Sequence, residues 1–139
     1  MTIDASEDRL PSDPASDALG IRVLAVRRGH CTAQMRVRAD MANGHGICHG
    51  GVVFTLADSA CGNACNYAAP PTVAASVTIE FLAPVRVGDE LTATATERWQ
   101  EGRGGVYDVE ITNQSGQTVA MLRCRSRRLS ERGAALDTQ

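Results

Sequence analysis

The sequence predicts an α+β chain in which one antiparallel sheet lies against a single long helix. Two observations carry this. Residues 50–67 form a near-continuous apolar run without proline, too long for a strand and about 27 Å long as a helix. Around it lie segments with the period-two alternation of strands, joined by short turn signals at residues 87–90, 101–105 and 113–117. Connections this short suit antiparallel neighbours, because parallel crossovers need about a dozen residues or more.

Taken in order, residues 31–39 alternate cleanly. Ala33, Met35 and Val37 face one way, and Gln34, Arg36 and Arg38 the other. A glycine-rich loop follows, then the helix, which is apolar on almost every side and so should be a central helix wrapped by other structure. Ala68-Ala69-Pro70-Pro71 ends it. Residues 72–84, 90–100, 104–113 and 118–129 read as four further strands in a meander. Residues 1–20, rich in Asp, Ser, Pro and Ala, read as a flexible arm or weak helix, and 131–139 as a flexible tail. The folded domain is then 21–130.

A chain of 139 residues with 43% apolar content is one globular domain. A net charge of −2 argues against a nucleic-acid binder that works through phosphate contacts. All 14 basic residues are arginines, and guanidinium groups match phosphate geometry. Five cysteines without a regular framework suit a reducing cytoplasm. The acidic N-terminus has no signal-peptide core, and Thr55, Asp58, Asn63 and Asn66 make residues 47–69 too polar for lipid. The chain reads as soluble, with no membrane partner.

Residues 41–66, MANGHGICHGGVVFTLADSACGNACN, offer several chemistries. His45, Cys48 and His49 suggest a metal, but the zinc-protease motif needs glutamate where Gly46 stands, and no fourth ligand is spaced to join them. The reading is therefore no metal and no cofactor. Gly44, Gly46 and His49 narrowly miss a dinucleotide fingerprint, and no βαβ unit follows. What remains is that Gly50 and Gly51 open a helix whose free amides can hold a developing negative oxygen. Cys61 and Cys65, four apart, read as core packing. Asp58 is the solitary charge in the run: a surface residue at a solvent gap, or a buried carboxylate raised towards the range of a general base.

The string NGHGICHGGVVFTLADSACGNACN, with AASVTIEFLAPVRVGDELTATA and GVYDVEITNQSGQTVA, resembles the hotdog-fold acyl-CoA thioesterases of the phenylacetate-degradation branch. The resemblance spans residues 40–129 and implies a curved antiparallel sheet wrapped around one long helix. It implies Asp58 as catalytic acid, the Gly50 amide as the group polarising the thioester carbonyl, and Asn43 and His49 beside it. Ser76 would place substrate or water. A hydroxyl one turn after the acid, present in a related branch, is replaced here by Gly62. Gly51 and Phe54 would line the substrate site, Phe54 and Val53 having core packing as the alternative. Arg86 and the Arg123–Arg128 group are candidates for the coenzyme phosphates.

The implied substrate is an acyl-CoA, (hydroxy)phenylacetyl-CoA or a related thioester, and the implied assembly a homodimer or a homotetramer of paired dimers. Competing readings are a hotdog hydratase or dehydratase and a non-catalytic acyl-CoA-binding protein. Spacing adds one inference of its own: Gly50 and Asp58 stand about 12 Å apart along one helix, so a carbonyl meeting both must take them from two chains.

Overall fold

A computed structural model describes residues 13–67 and 71–129. The elements run α1 (Pro14–Ala18), β1 (Arg22–Arg27), β2 (His30–Arg36), a 3-10 turn (Ala39–Met41), α2 (Gly50–Cys65), β3 (Thr72–Phe81), β4 (Glu90–Glu101), β5 (Gly104–Thr112) and β6 (Thr118–Arg128). The six strands form one sheet in the order β1-β2-β4-β5-β6-β3, antiparallel at every pairing. The expected fold class is therefore present. The expected arm up to residue 12 and the tail from residue 131 lie outside the described residues, as do residues 68–70 of the helix stop.

Two details differ from the sequence reading. The first is β1, which the sequence reading left without a strand. A bulge between Val23 and Ala25 breaks its alternation and leaves Leu24 47% exposed, so the period-two signal is lost over six residues. The second is the meander, which holds only for β4-β5-β6. β3 joins β6, and the chain between β3 and β4 crosses beside the loop before α2, where Cys48 N–H donates to the Val85 carbonyl at 2.7 Å. Local pattern identifies strands but not the partner a connection reaches.

The helix lies across the concave face, packed chiefly on β2 and β4. Small residues make this close approach possible: Ala57, Ala60, Cys61 and Ala64 face the sheet, and Ala33, Ala93 and Ala95 are fully buried beneath. Met35, Leu56, Leu91 and Ile111 supply the bulk of the core. The sequence reading covered the helix on nearly every side, but in one chain a stripe stays open. Gly51 and Asp58 are exposed and Thr55, Ser59 and Gly62 half-buried, at the three- and four-residue spacing of one helical face. Towards its C-terminal end, Asn66 ties α2 to β3, accepting from Thr72 N–H at 2.8 Å and donating to the Thr72 carbonyl at 2.9 Å.

The sheet demands glycine at one point. A Cβ on Gly105 would sit 2.6 Å from Ser126 Oγ and 2.9 Å from the Tyr107 ring, and would also overlap Gln100 Oε1. Gly105→Ala should therefore destabilise the fold by about 1–3 kcal/mol, read as a lower urea midpoint at unchanged m-value.

Candidate active site

His49 starts the helix. Its backbone is extended and its Nδ1 accepts the Gly51 N–H at 3.2 Å. An accepting Nδ1 places the neutral ring's proton on Nε2, leaving a donor at the outer edge. The His49 carbonyl takes the Val52 and Val53 N–H groups at 2.9 and 3.3 Å. Of the four amides that open α2, only that of Gly50 has no acceptor among the described residues. It stands at the positive end of the helix dipole, where a developing oxyanion is stabilised.

The preceding loop holds this amide in place. Asn43 Oδ1 accepts from His45 N–H at 2.9 Å and Ile47 N–H at 3.4 Å, and the Asn43 N–H donates to the Ile47 carbonyl at 2.7 Å. The oxygen of Asn43 thus organises the loop, and its side-chain nitrogen faces no partner among the described residues. Gly46 adopts φ +80°, which favours glycine. Phe81 was not foreseen: its ring lies over Gly50, and a Cβ there would come within 3.1 Å of its Cζ. Ending an edge strand 54% exposed, Phe81 is an apolar wall beside the free amide.

Asp58 occupies a second place. It lines a cavity of about 520 Å³ together with Thr55, Ser59, Asn63, Asn66 and Thr72. Its surface is open to solvent in one chain, yet the protein packed around it removes part of its hydration and pushes the carboxyl above the ordinary carboxylate range. No hydrogen bond reaches it from any described residue, and it is the sole charged residue of α2. Ser59, next in the chain, approaches Ser16 of α1 at 3.3 Å between hydroxyls. Gly62 also lines the cavity, so no side chain fills the space one turn beyond the acid.

The expected site is thus divided within one chain. Gly50, Gly51, His49 and Asn43 gather at the helix start, and Asp58 lies two turns further on in its own cavity. Ser76 joins neither group: it is exposed and pairs with Arg125, while its neighbour Val77 packs on the core. Phe54 packs partly against the core, as its alternative reading held. Among the described residues no group of three His, Cys, Asp or Glu side chains is placed to hold a metal ion. All five cysteines are free and buried, with Cys61 in contact with both Cys65 and Cys124.

Sequence reasoning missed Thr55 and Ser59, although their helical spacing around Asp58 was readable. It also missed Phe81, Asn66 and Thr72, whose placement depends on the β3 topology. Because the carboxyl of Asp58 is raised, its folded form holds a proton that the unfolded form gives up, so its charge opposes folding once pH exceeds the folded value. Asp58→Asn should therefore leave the melting temperature at neutral pH unchanged or higher, whereas a carboxylate with a structural role would lower it.

Residues 45–120 match the family described as Thioesterase superfamily. The acyl-coenzyme A thioesterase PaaI of Escherichia coli (strain K12) is 47% identical over 118 residues, covering 85% of this chain and 84% of its own. The solved structure of the E. coli PaaI protein from the phenylacetic acid degradation operon superposes with a TM-score of 0.84 at 46% identity, over 86% of each chain. That of the TT0310 protein from Thermus thermophilus gives 0.82 at 36% identity, over 85% of this chain and 99% of the other. With this match over most of its length, and a curved antiparallel sheet on one long helix, the chain belongs to the thioesterase superfamily and has the hotdog fold.

Proposed function

We propose that the protein hydrolyses acyl-CoA thioesters, with (hydroxy)phenylacetyl-CoA and related aryl or acyl groups as substrates, at a site shared by two copies of the chain. The observation that carries this is the pairing, on the same helix, of one helix-start amide and one carboxylate that have no hydrogen-bond partner among the described residues. The similarity to an acyl-coenzyme A thioesterase from E. coli supports the thioester as substrate. Five free thiols suit a reducing cytoplasm.

The two groups lie about 12 Å apart along α2, too far to act on one carbonyl carbon. The sheet edge supplies a remedy. β3 has ten residues, and none from Thr72 to Ile79 is charged or proline, so its free edge lacks the devices that block pairing. β1, the other edge, is shorter, bulged and carries Arg22 and Arg27. Antiparallel pairing of β3 with a second β3 sets the Thr72 end of one copy near the Phe81 end of the other. Thr72 lines the cavity of Asp58, and Phe81 lies over Gly50. Such a dimer therefore brings Asp58 of one chain towards Gly50 of the other.

The chemistry follows. The thioester oxygen accepts from the Gly50 N–H, which becomes a stronger partner as negative charge develops there. Asp58, ionised, takes a proton from water as the water oxygen bonds to the carbonyl carbon. Collapse of the tetrahedral species breaks the C–S bond; the proton passes to sulfur, and acid and free CoA thiol leave. Attack by Asp58 itself, forming a mixed anhydride that water then opens, uses the same geometry. His49, through Nε2–H, and the Asn43 amide nitrogen stand at the oxyanion end as donors.

Phenylacetyl-CoA mixed with the protein should release thiol, and Asp58→Asn should lower kcat by about 10²- to 10⁴-fold. Since the base form is needed and the carboxyl is raised, kcat/KM should fall with decreasing pH at a midpoint above the ordinary aspartate value. Substrate binding without thiol release would point to a sensor instead.

A further inference from the structure

All five cysteines are buried, and three of them gather under α2 in a cluster that the thioester chemistry does not use. Cys61 and Cys65 stand on the inner side of the helix, four residues apart. Cys124 lies in the inward row of β6, where Leu122, Cys124 and Ser126 alternate with the exposed Arg123 and Arg125. The helix packs on this strand, and the Cys61 thiol meets both Cys65 and Cys124. Across the sheet Cys124 pairs with Tyr107 of β5 and Val77 of β3, so core residues wall the cluster on both sides. The cluster also borders the catalytic acid. Asp58 precedes Cys61 by three residues, about one turn, and its charge is felt at Cys124. Gly62, next to Cys61, lines the cavity of Asp58, so a molecule as small as hydrogen peroxide in that cavity stands one residue from the thiol.

The two contacts of Cys61 are not equivalent. Along one helix, Cβ atoms four residues apart stand about 5–6 Å from each other, whereas a disulfide draws them to about 3.8 Å. Joining Cys61 to Cys65 would therefore distort α2. The Cys65 thiol is also engaged, donating to the Gly62 carbonyl and accepting from Asn66 Nδ2, each at 3.6 Å. Cys61 and Cys124 belong to separate elements, so side-chain rotation and a small approach of helix to strand bring their sulfurs together. Cys61 gives its hydrogen to Cys124, which holds the Cys124 thiol below the ordinary range and makes it the better nucleophile of the two.

We propose that Cys61 and Cys124 form an oxidation site, at which hydrogen peroxide closes a disulfide that moves the turn carrying Asp58 and lowers activity. The Cys124 sulfur attacks one peroxide oxygen, the O–O bond breaks, and water leaves with the thiol proton, giving a sulfenic acid. The Cys61 sulfur then bonds to Cys124 Sγ and expels the hydroxyl as a second water. Two thiols thus give up two electrons and two protons to one peroxide, and a dithiol reductant returns them. Closing the sulfurs from non-bonded contact, about 4 Å, to a bond of about 2 Å draws the turn after Asp58 towards β6. A displaced acid loses rate, since a misplacement of about 1 Å can cost about 10²-fold. Where thiols are kept reduced such a bond is transient, the setting in which disulfides act as sensors. The effect on activity rests on the proposed thioesterase function; the bond itself does not.

The test treats the native full chain with hydrogen peroxide, removes the oxidant with catalase, then denatures in excess alkylating agent without reductant and weighs the product. The unaltered chain and Cys65→Ala should each lose two alkylatable thiols, while Cys61→Ala and Cys124→Ala lose no pair. Cys124→Ser, which keeps the side-chain volume, repeats the test should the alanine variant not fold. Thiol release from phenylacetyl-CoA is the second readout: kcat of the oxidised chain should fall about ten-fold and return with dithiothreitol. Peroxide-treated Cys124→Ala should keep its own untreated rate, which separates the disulfide from oxidation elsewhere. If the unaltered chain retains all five thiols, or Cys124→Ala loses a pair as readily, the site is overturned. A disulfide that forms while kcat stays unchanged overturns its coupling to Asp58. If the reduced protein hydrolyses no thioester, the thioesterase reading fails, and the thiol count still decides the site.

Discussion

One rigid helix holds two reactive groups too far apart to meet. Eight residues separate Gly50 from Asp58 in α2, and hydrogen-bonded helix does not bend enough to close about 12 Å. In the proposed mechanism each chain therefore carries two half-sites: an amide donor at the helix start, and a carboxylate two turns along. The uncharged Thr72–Ile79 stretch of the β3 edge, the Asn66 clamp on Thr72 and the Phe81 ring over Gly50 all acquire a purpose from that separation under the proposed mechanism. They set the carboxylate cavity at one end of the free edge and the amide at the other, which the proposed antiparallel self-pairing would exchange.

The helix must be held firmly for either half-site to be useful. Alanines and cysteines on its inner face let it lie close over Ala33, Ala93 and Ala95, trading side-chain bulk for a near approach of backbones. At its start the accounting of amides is almost closed. His49 satisfies three of them through its ring and carbonyl, and the loop is braced by Asn43 and by Cys48 against Val85. The Gly50 amide is left over, in a place where any larger residue would press on Phe81. Preorganisation of this kind lets a hydrogen bond act at the transition state without reordering the protein.

Much of this was legible in the sequence because it depends on local period. The length and apolarity of residues 50–67 gave the central helix, ending two residues earlier than expected, and Asp58 stood out as its one charge. Alternation in β2, β4, β5 and β6 gave strands. Legibility failed where a bulge reset the period, at Leu24 in β1 and at Trp99 in β4, since a shifted register moves a residue to the other face. It failed again where a partner lay far along the chain: nothing local sends β3 to β6, and Phe81 reaches Gly50 only through that pairing. The polar stripe of Thr55 and Ser59 around Asp58 belonged to the readable part.

The central claim is that Gly50 and Asp58 act from different chains, and mixing two inactive variants tests it most directly. Gly50→Pro removes the N–H at a first helical position that accepts proline, with the Phe81 ring shifting by a few tenths of an ångström to admit it, and Asp58→Asn removes the base. Each variant alone should have almost no activity. In a purified heterodimer one site pairs a sound Gly50 with a sound Asp58 and the other has neither, so about half of the wild-type rate per dimer should return. Heterodimers as inactive as either parent, with assembly verified by native mass spectrometry, would contradict the shared site.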